Sequence, residues 1–393
     1  MISRKMEMFV ESGSAIRAMF EEGKQMAEIY GAENVCDFSL GNPNLPTPNA
    51  VKEAIIEVLD EEDPVDLHGY MNNSGFHDVR QAVADSINKK HETEFTKENI
   101  VMSVGAAGGL NVILNAFINP QDEVMVFAPY FGEYKSYAIS YDADFSVVPA
   151  SVPDFQPNLE ELEKMLNPRT KIVIINSPNN PTGVVYTEET IKKLAEILYR
   201  KQKEFKTDIY LVSDEPYRDL VYSGIDVPYV TKYYDNSIVA YSFSKSLSLA
   251  GERIGYLVIS NNMADFDNVV SACNIGTRIL GFVNAPSLLQ KAVAKCLETK
   301  VDVEFYNRNR QTLYDGLTKM GYECTYPDGA FYLWVKTPIE DDRKFVEMAK
   351  KYQLLLVAGT FFGCPGYTRI AYCISPNTIK TALPKFKQLI ESL

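Results

Sequence analysis

Between residues 99 and 260 the chain alternates short apolar runs with longer amphipathic stretches. "NIVMSV", "DEVMVFAP", "DFSVVPA", "KIVIINSP", "DIYLVSDEP", "SIVAYSFS" and "RIGYLVIS" are nearly continuous in apolar residues, the pattern of strands covered on both faces. Helical stretches intervene, among them "TEETIKKLAEILYRKQKEF", opened by Thr187 as an N-cap with glutamates just behind it. Such alternation predicts an α/β fold, a three-layer large domain with a mostly parallel central sheet.

After residue 284 the pattern changes. The helical stretches "APSLLQKAVAKCLETK" and "VEFYNRNRQTLYDGLTKMG" precede short strands "AFYLWVK", "QLLLVAG" and "YTRIAYCIS" and a last helix. A smaller α+β domain is expected there, built from both chain ends. The expected division is 1–48 as an N-terminal arm and part of the small domain, 49–284 as the large domain, and 285–393 as the C-terminal small domain. The cleft between two such units is the usual place for a small-molecule site.

Composition narrows the picture. At 393 residues and 46% hydrophobic, the chain suffices for two cores. Acidic residues exceed basic ones by 13, which disfavours nucleic-acid and anionic-membrane partners. No apolar run approaches a membrane span, and "MISRKMEMFVESGS" holds no apolar signal core, so a soluble, cytoplasmic protein is expected. Six scattered cysteines without a CxxC pair fit reduced, mostly buried thiols better than disulfides. His68, His77 and His91 lack the i, i+4 spacing of a zinc site, and no metal is expected.

Ligands of open α/β sheets bind beyond the carboxyl ends of the strands, so the residues after each run carry the chemistry. "GAAGGL" (105–110) follows the first run and leads into a helix: either a tight turn or a cradle of backbone N–H groups for a phosphate. Tyr130 and Phe131 follow the second, as core or as a stacking surface for a flat ring. "SPNNPTG" (177–183) is a rigid turn rich in amides that can face a ligand oxygen. "SDEPY" places Asp214 at a strand end, where a buried carboxylate requires a partner such as a protonated heterocyclic nitrogen.

"SFSKSLSLAGERIGY" (242–256) carries the sharpest signal. Lys245 among serines and small residues suits a desolvated amine of lowered pKa, the form that condenses with an aldehyde. Ser242, Ser244 and Arg253 suit a phosphate. Each feature alone has a bland reading as turn, core or solvated charge. Together, in order at successive strand ends, they form the inventory that pyridoxal phosphate requires.

These motifs resemble those of the class I/II aminotransferases among the fold-type I pyridoxal phosphate-dependent enzymes. The likeness runs from "SLGNPNLPTP", with Gly41, Pro43 and Pro48, through Tyr70, "GAAGGL", "SPNNPTG", "SDEPY" and the lysine stretch to "PGYTRIAY" at Arg369. It implies that Lys245 holds pyridoxal 5'-phosphate covalently as a Schiff base and later moves the proton between substrate Cα and cofactor. Asp214 would keep the pyridine nitrogen protonated. Asn180 and Tyr217 would bond the ring hydroxyl oxygen, and Phe131 would stack on the ring. Ala106 and Ala107 would hold the phosphate through backbone amides, with Ser242, Ser244 and Arg253 adding side chains. Arg369 would grip the substrate α-carboxylate, supported by Gly41 and Asn180. Tyr70 would reach the phosphate of a neighbouring subunit, which implies a homodimer.

Two departures stand out: phenylalanine at the stacking position, and alanines in the phosphate loop where relatives offer hydroxyls. Arg278 falls near the place where dicarboxylate-specific relatives carry a second arginine; otherwise it is a helix-surface residue. Phe331, Tyr332 and Trp334 of "DGAFYLW" line an apolar pocket or fill the small domain, and core is the favoured reading. The expected activity moves the amino group of an L-amino acid (aspartate, or an aromatic or other apolar one) to a 2-oxo acid, 2-oxoglutarate first among them, by ping-pong exchange. The same lysine and fold also suit a carbon–sulfur β-lyase, because the outcome depends on which Cα bond lies perpendicular to the ring. A non-catalytic effector module is the remote alternative, opposed by the acidic balance and by the position of the lysine stretch.

Overall fold

The computed structural model describes residues 2–12, 15–222 and 224–393. The seven apolar runs form seven strands: β1 (Ile100–Ser103), β2 (Glu123–Phe127), β3 (Asp144–Val148), β4 (Thr170–Asn176), β5 (Tyr210–Asp214), β6 (Ser237–Ser242) and β7 (Gly255–Ile259). They make one sheet in the order β1-β7-β6-β5-β4-β2-β3. Pairing is parallel except at β7, which runs antiparallel to both β1 and β6. Every residue of β1, β2, β5, β6 and β7 is buried, which is why these runs read as continuous rather than alternating.

Helices cover both faces. Gly105–Phe117 and Phe266–Ile279 pack Leu110, Ile113, Val269 and Cys273 against one face. His77–His91 and Glu188–Phe205 pack Val79, Val83, Leu194 and Leu198 against the other. Thr187 caps the Glu188–Phe205 helix as expected, its hydroxyl accepting from the Thr190 amide at 3.1 Å, a contact typically worth about 1 kcal/mol.

A second core draws on both ends of the chain. Met26 and Phe38 meet Phe345, Ile379 and Phe386 there. Its antiparallel sheet holds Cys324–Thr325, Tyr332–Lys336, Tyr367–Ala371 and Val357–Ala358. The run "QLLLVAG" splits in two: Leu354–Leu355 pairs in parallel with Cys36–Asp37, while Val357–Ala358 turns to Tyr367–Ala371. The Ser287–Ala294 helix lies with the first core through Ala292 and Val293, rather than with the C-terminal unit in which its sequence pattern puts it. All six cysteines are free, and all but Cys324 are buried. Among the described residues, no helix is long and apolar enough to cross a membrane.

Candidate active site

A cavity of about 340 Å³ opens at the carboxyl ends of β4, β5 and β6, between the two cores. Its wall includes Gly41, Ala106, Ala107, Phe131, Asn180, Asp214, Tyr217, Ser242, Ser244, Lys245, Arg253 and Arg369. Twelve expected site residues from seven distant stretches therefore meet in one place. Two others do not. Tyr70 is 94% exposed, and Arg278 is exposed near the end of the Phe266–Ile279 helix, away from this cavity.

Ser242 ends β6 and caps the single helical turn Phe243–Ser246, accepting from the Ser244 amide at 3.2 Å. That turn aims Lys245 across the cleft, where its Nζ donates to the Gly41 carbonyl at 2.6 Å. Burial is the main cause that pushes the Lys245 ammonium down to about 8, with the nearby Arg253 and Arg369 charges adding to it and Cys373 opposing. A substantial free-amine fraction near neutrality is what aldehyde condensation needs.

Asp214 sits at the end of the central strand β5 and is buried. Burial raises its carboxyl to about 7, the Tyr134 hydrogen bond lowers it, and Glu215 raises it. Tyr134 donates to Oδ2 at 2.6 Å, while Oδ1 is buried without a partner among the described residues. A cationic N–H in the cavity would satisfy that oxygen and hold the carboxylate ionised. In register beside Asp214, Asn176 donates to its backbone carbonyl at 2.7 Å and accepts from the Asn180 amide at 2.7 Å. The rigid "SPNNPTG" turn thereby places Asn180.

At the phosphate end, Gly105 opens the 13-residue Gly105–Phe117 helix in a left-handed conformation, φ 73°. A Cβ there would lie 2.9 Å from an Arg253 guanidinium nitrogen, so glycine is what lets the arginine cross the helix start. Arg253 is braced by the Ala250 carbonyl at 2.9 Å. Its permanent charge and the free N–H groups at Ala106 and Ala107 form an anion cradle.

Arg369 comes from the Tyr367–Ala371 strand and is buried. Its guanidinium donates to Asn180 Oδ1 at 3.0 Å and to the Ser39 carbonyl, and lies over the Tyr332 and Phe362 rings at 4.6 and 4.9 Å. Its Nε is buried without a partner among the described residues. The core reading of "DGAFYLW" holds, since Phe331, Tyr332 and Trp334 are all buried in the cores. Tyr332 serves the site as well: it lines the cavity, carries Arg369 on its ring and bonds Tyr217 hydroxyl to hydroxyl at 2.7 Å. Tyr134, Asn176 and Tyr332 were the site residues the pattern missed. Only Asn176, ending an apolar run as Asp214 ends the next, left a readable signal.

The orphaned Asp214 oxygen, the cradle at Gly105 and the desolvated Lys245 fit an aldehyde-bearing phosphate with a basic ring nitrogen. Comparison with known proteins agrees. Residues 33–386 match the family model described as "Aminotransferase class I and II". The chain is similar to the aspartate aminotransferase of Thermotoga maritima, 31% identical over 96% of this chain and 97% of that protein. It is likewise similar to a probable aspartate/prephenate aminotransferase of Aquifex aeolicus, 30% identical over 92% of each. Among solved structures, an amino transferase from Eubacterium rectale superposes with a TM-score of 0.97 at 45% identity, covering 100% of this chain and 99% of that one. The Thermus thermophilus aspartate aminotransferase with maleate gives 0.88 at 26% identity, covering 99% of both. Motif order, sheet topology, cavity chemistry and a family match across most of its length lead to one assignment: this chain belongs to the class I and II aminotransferases, pyridoxal phosphate-dependent enzymes that transfer nitrogenous groups.

Proposed function

We propose that this enzyme moves the amino group of an L-amino acid to a 2-oxo acid, 2-oxoglutarate first among acceptors, by a ping-pong exchange on pyridoxal 5'-phosphate held at Lys245. The observation that carries the reading is the meeting of Lys245, the unpartnered Asp214 oxygen, the Arg253 cradle and Arg369 in one cavity. The bound cofactor would supply an electron sink for the substrate Cα. Lys245 would attach it, then hold and return the Cα proton as a free amine. Asp214 would pair with the ring nitrogen, Asn180 and Tyr217 with the ring hydroxyl, and Phe131 would cover a ring face. Ser242, Ser244 and the amides of Ala106 and Ala107 would share the phosphate with Arg253. Arg369 would fix the α-carboxylate and so choose which Cα bond faces the ring.

The proposed assembly is a cytoplasmic homodimer in which Tyr70 reaches the partner's phosphate site. Its 94% exposure leaves the side chain free to meet a partner. A single concentration near the cofactor's affinity suffices to check this: Tyr70→Ala lowers cofactor occupancy without unfolding the protein.

The test of the activity is a visible absorbance spectrum of the cofactor-loaded protein, repeated after adding single L-amino acids without an oxo acid. Bleaching of the yellow band, reversed by 2-oxoglutarate, supports transamination. A band that persists while pyruvate accumulates from cystathionine or cysteine means β-elimination instead. No band after pyridoxal phosphate is supplied overturns the cofactor.

A further inference from the structure

The helix that carries Lys245 is one turn long, Phe243–Ser246. A single turn has little hold on its own shape, because one closing hydrogen bond must fix several residues. Its front faces the cleft: Ser244 and Lys245 line the cavity, and Ser242 caps the turn. Its back does not. Ser246 is buried outside the cavity wall, and Phe243 and Leu247 pack into the first core. Two small voids, of about 30 and 10 Å³, lie behind the turn, and Tyr241, Phe243 and Asp219 line both. Apolar packing is non-directional and is incomplete here, so it leaves the turn room to shift.

Among the described residues, one chain of polar side chains crosses that gap. The Ser246 and Tyr241 hydroxyls meet at 2.8 Å, and the Tyr241 phenol donates to Asp219 Oδ2. A carboxylate only accepts, so the phenol proton goes to Asp219 and the Ser246 proton to the phenol oxygen. Burial first, with Asp219 and Tyr256 after it, pushes the phenol well above its ordinary range, so it stays protonated. Its ring stacks on Tyr256 at 4.8 Å and meets Phe243 edge-on at 5.3 Å. Asp219 belongs to the segment that leaves β5 after Asp214, and that segment is itself fastened. Arg218 donates to Glu215 and to the Val227 and Pro228 carbonyls, the last two at 2.7 and 2.9 Å. Ser246, Tyr241 and Asp219 thus tie the turn that presents the amine to the segment that continues from Asp214.

We propose that Tyr241 is a positioning residue for the reaction: its hydroxyl, bonded to Ser246 on one side and Asp219 on the other, fixes the turn that presents the Lys245 amine. Tyr241 itself stands outside the cavity wall. The inference rests on the aminotransferase reading. Burial is the largest influence on the Lys245 ammonium and lowers it; Cys373 raises it, and Arg253 and Arg369 lower it further. A turn cut loose lets water reach the amine and weakens the largest of these, so the amine titrates at higher pH.

The experiment compares the wild type with Tyr241→Phe, which keeps the ring, and Ser246→Ala, which leaves Tyr241 in place. On the cofactor-free proteins the rate of pyridoxal phosphate uptake is followed against pH. On the loaded proteins kcat and KM are measured for the L-amino acid that bleaches the band fastest, and melting temperatures report the fold. In both variants the uptake midpoint is expected to move up by about one pH unit and kcat to fall about tenfold, with KM within about twofold because Arg369 is untouched. Ser246→Ala decides if Tyr241→Phe does not fold. A midpoint and kcat unmoved in Ser246→Ala, even beside a lowered melting temperature, mean that the chain serves stability alone; they overturn the proposal and leave transamination standing. A wild type that takes up no pyridoxal phosphate at any pH overturns both.

Discussion

The Tyr134 phenol donates to one oxygen of Asp214 at 2.6 Å while the other oxygen, buried, has no partner among the described residues. The fold therefore brings a carboxylate into its interior half satisfied. With the carboxyl raised to about 7, the neutral acid is the favoured form below that pH.

Asp214→Asn separates the two consequences of that arrangement. In the cofactor-free protein, a raised carboxylate pKa favours folding at low pH, and that contribution is lost as pH rises through about 7. The amide is therefore expected to stabilise the cofactor-free protein at pH 8, by roughly 1–3 kcal/mol. Turnover should fall by about a thousandfold or more, the size of a lost charge partner at the reacting ring. Thermal melts at pH 6 and 8, set beside kcat, check both arms.

Tyr134→Phe removes the one donor that lowers the Asp214 pKa, so that pKa is expected to climb. Cofactor affinity should then fall away at a higher pH than in the wild type. Titrating pyridoxal phosphate into both proteins between pH 6 and 9 measures the displacement; coincident curves would remove Tyr134 from this role.

In the proposed reading Lys245 captures the aldehyde. Because burial holds its ammonium at about 8, the association rate of pyridoxal phosphate should rise with pH through about 8 and level off above it. Lys245→Ala is expected to keep the fold and lose turnover. A variant that retained near-wild-type catalysis would remove Lys245 from the chemistry.

Arg369→Lys keeps the charge but loses the planar fork that spans Asn180 and the Ser39 carbonyl. The KM for amino acids should rise about a hundredfold, and cofactor affinity should change by less than about threefold. Equal losses in both would mean that Arg369 holds the cofactor instead.

Gly41→Ala probes the closest approach in the site. The new Cβ would fall 1.9 Å from the Tyr332 hydroxyl oxygen, so the ring or the backbone must move. A backbone shift disturbs the Gly41 carbonyl that accepts from Lys245, a ring shift breaks the Tyr332–Tyr217 bond, and overpacking of this kind costs about 1–3 kcal/mol. A lower melting temperature together with a lower kcat is expected.

Much of this was legible in the chain itself because of where the chemistry sits. Strands buried on both faces announce themselves as apolar runs, and the residues that follow them are the site. Lys245, Asp214, Asn180 and Arg253 could be found one strand end at a time. Tyr134 and Tyr332 could not. Tyr134 finds its partner eighty residues away, through a contact that no local pattern encodes. Tyr332 stands in an aromatic run whose neighbours do fill the core, and only the packing of the second sheet turns its hydroxyl to Tyr217.

The pairing of Cys36–Asp37 with Leu354–Leu355 has a consequence for synthesis. All seven strands of the large sheet have been made once Ile259 has been added, so the strand ends that carry Gly105, Asp214 and Lys245 exist while the ribosome is still working. The segment carrying Gly41 must wait for a partner strand that emerges near the end, and Arg369 arrives later still. A nascent chain would thus complete its large sheet before its two ends meet to bring Gly41 and Arg369 into the cleft.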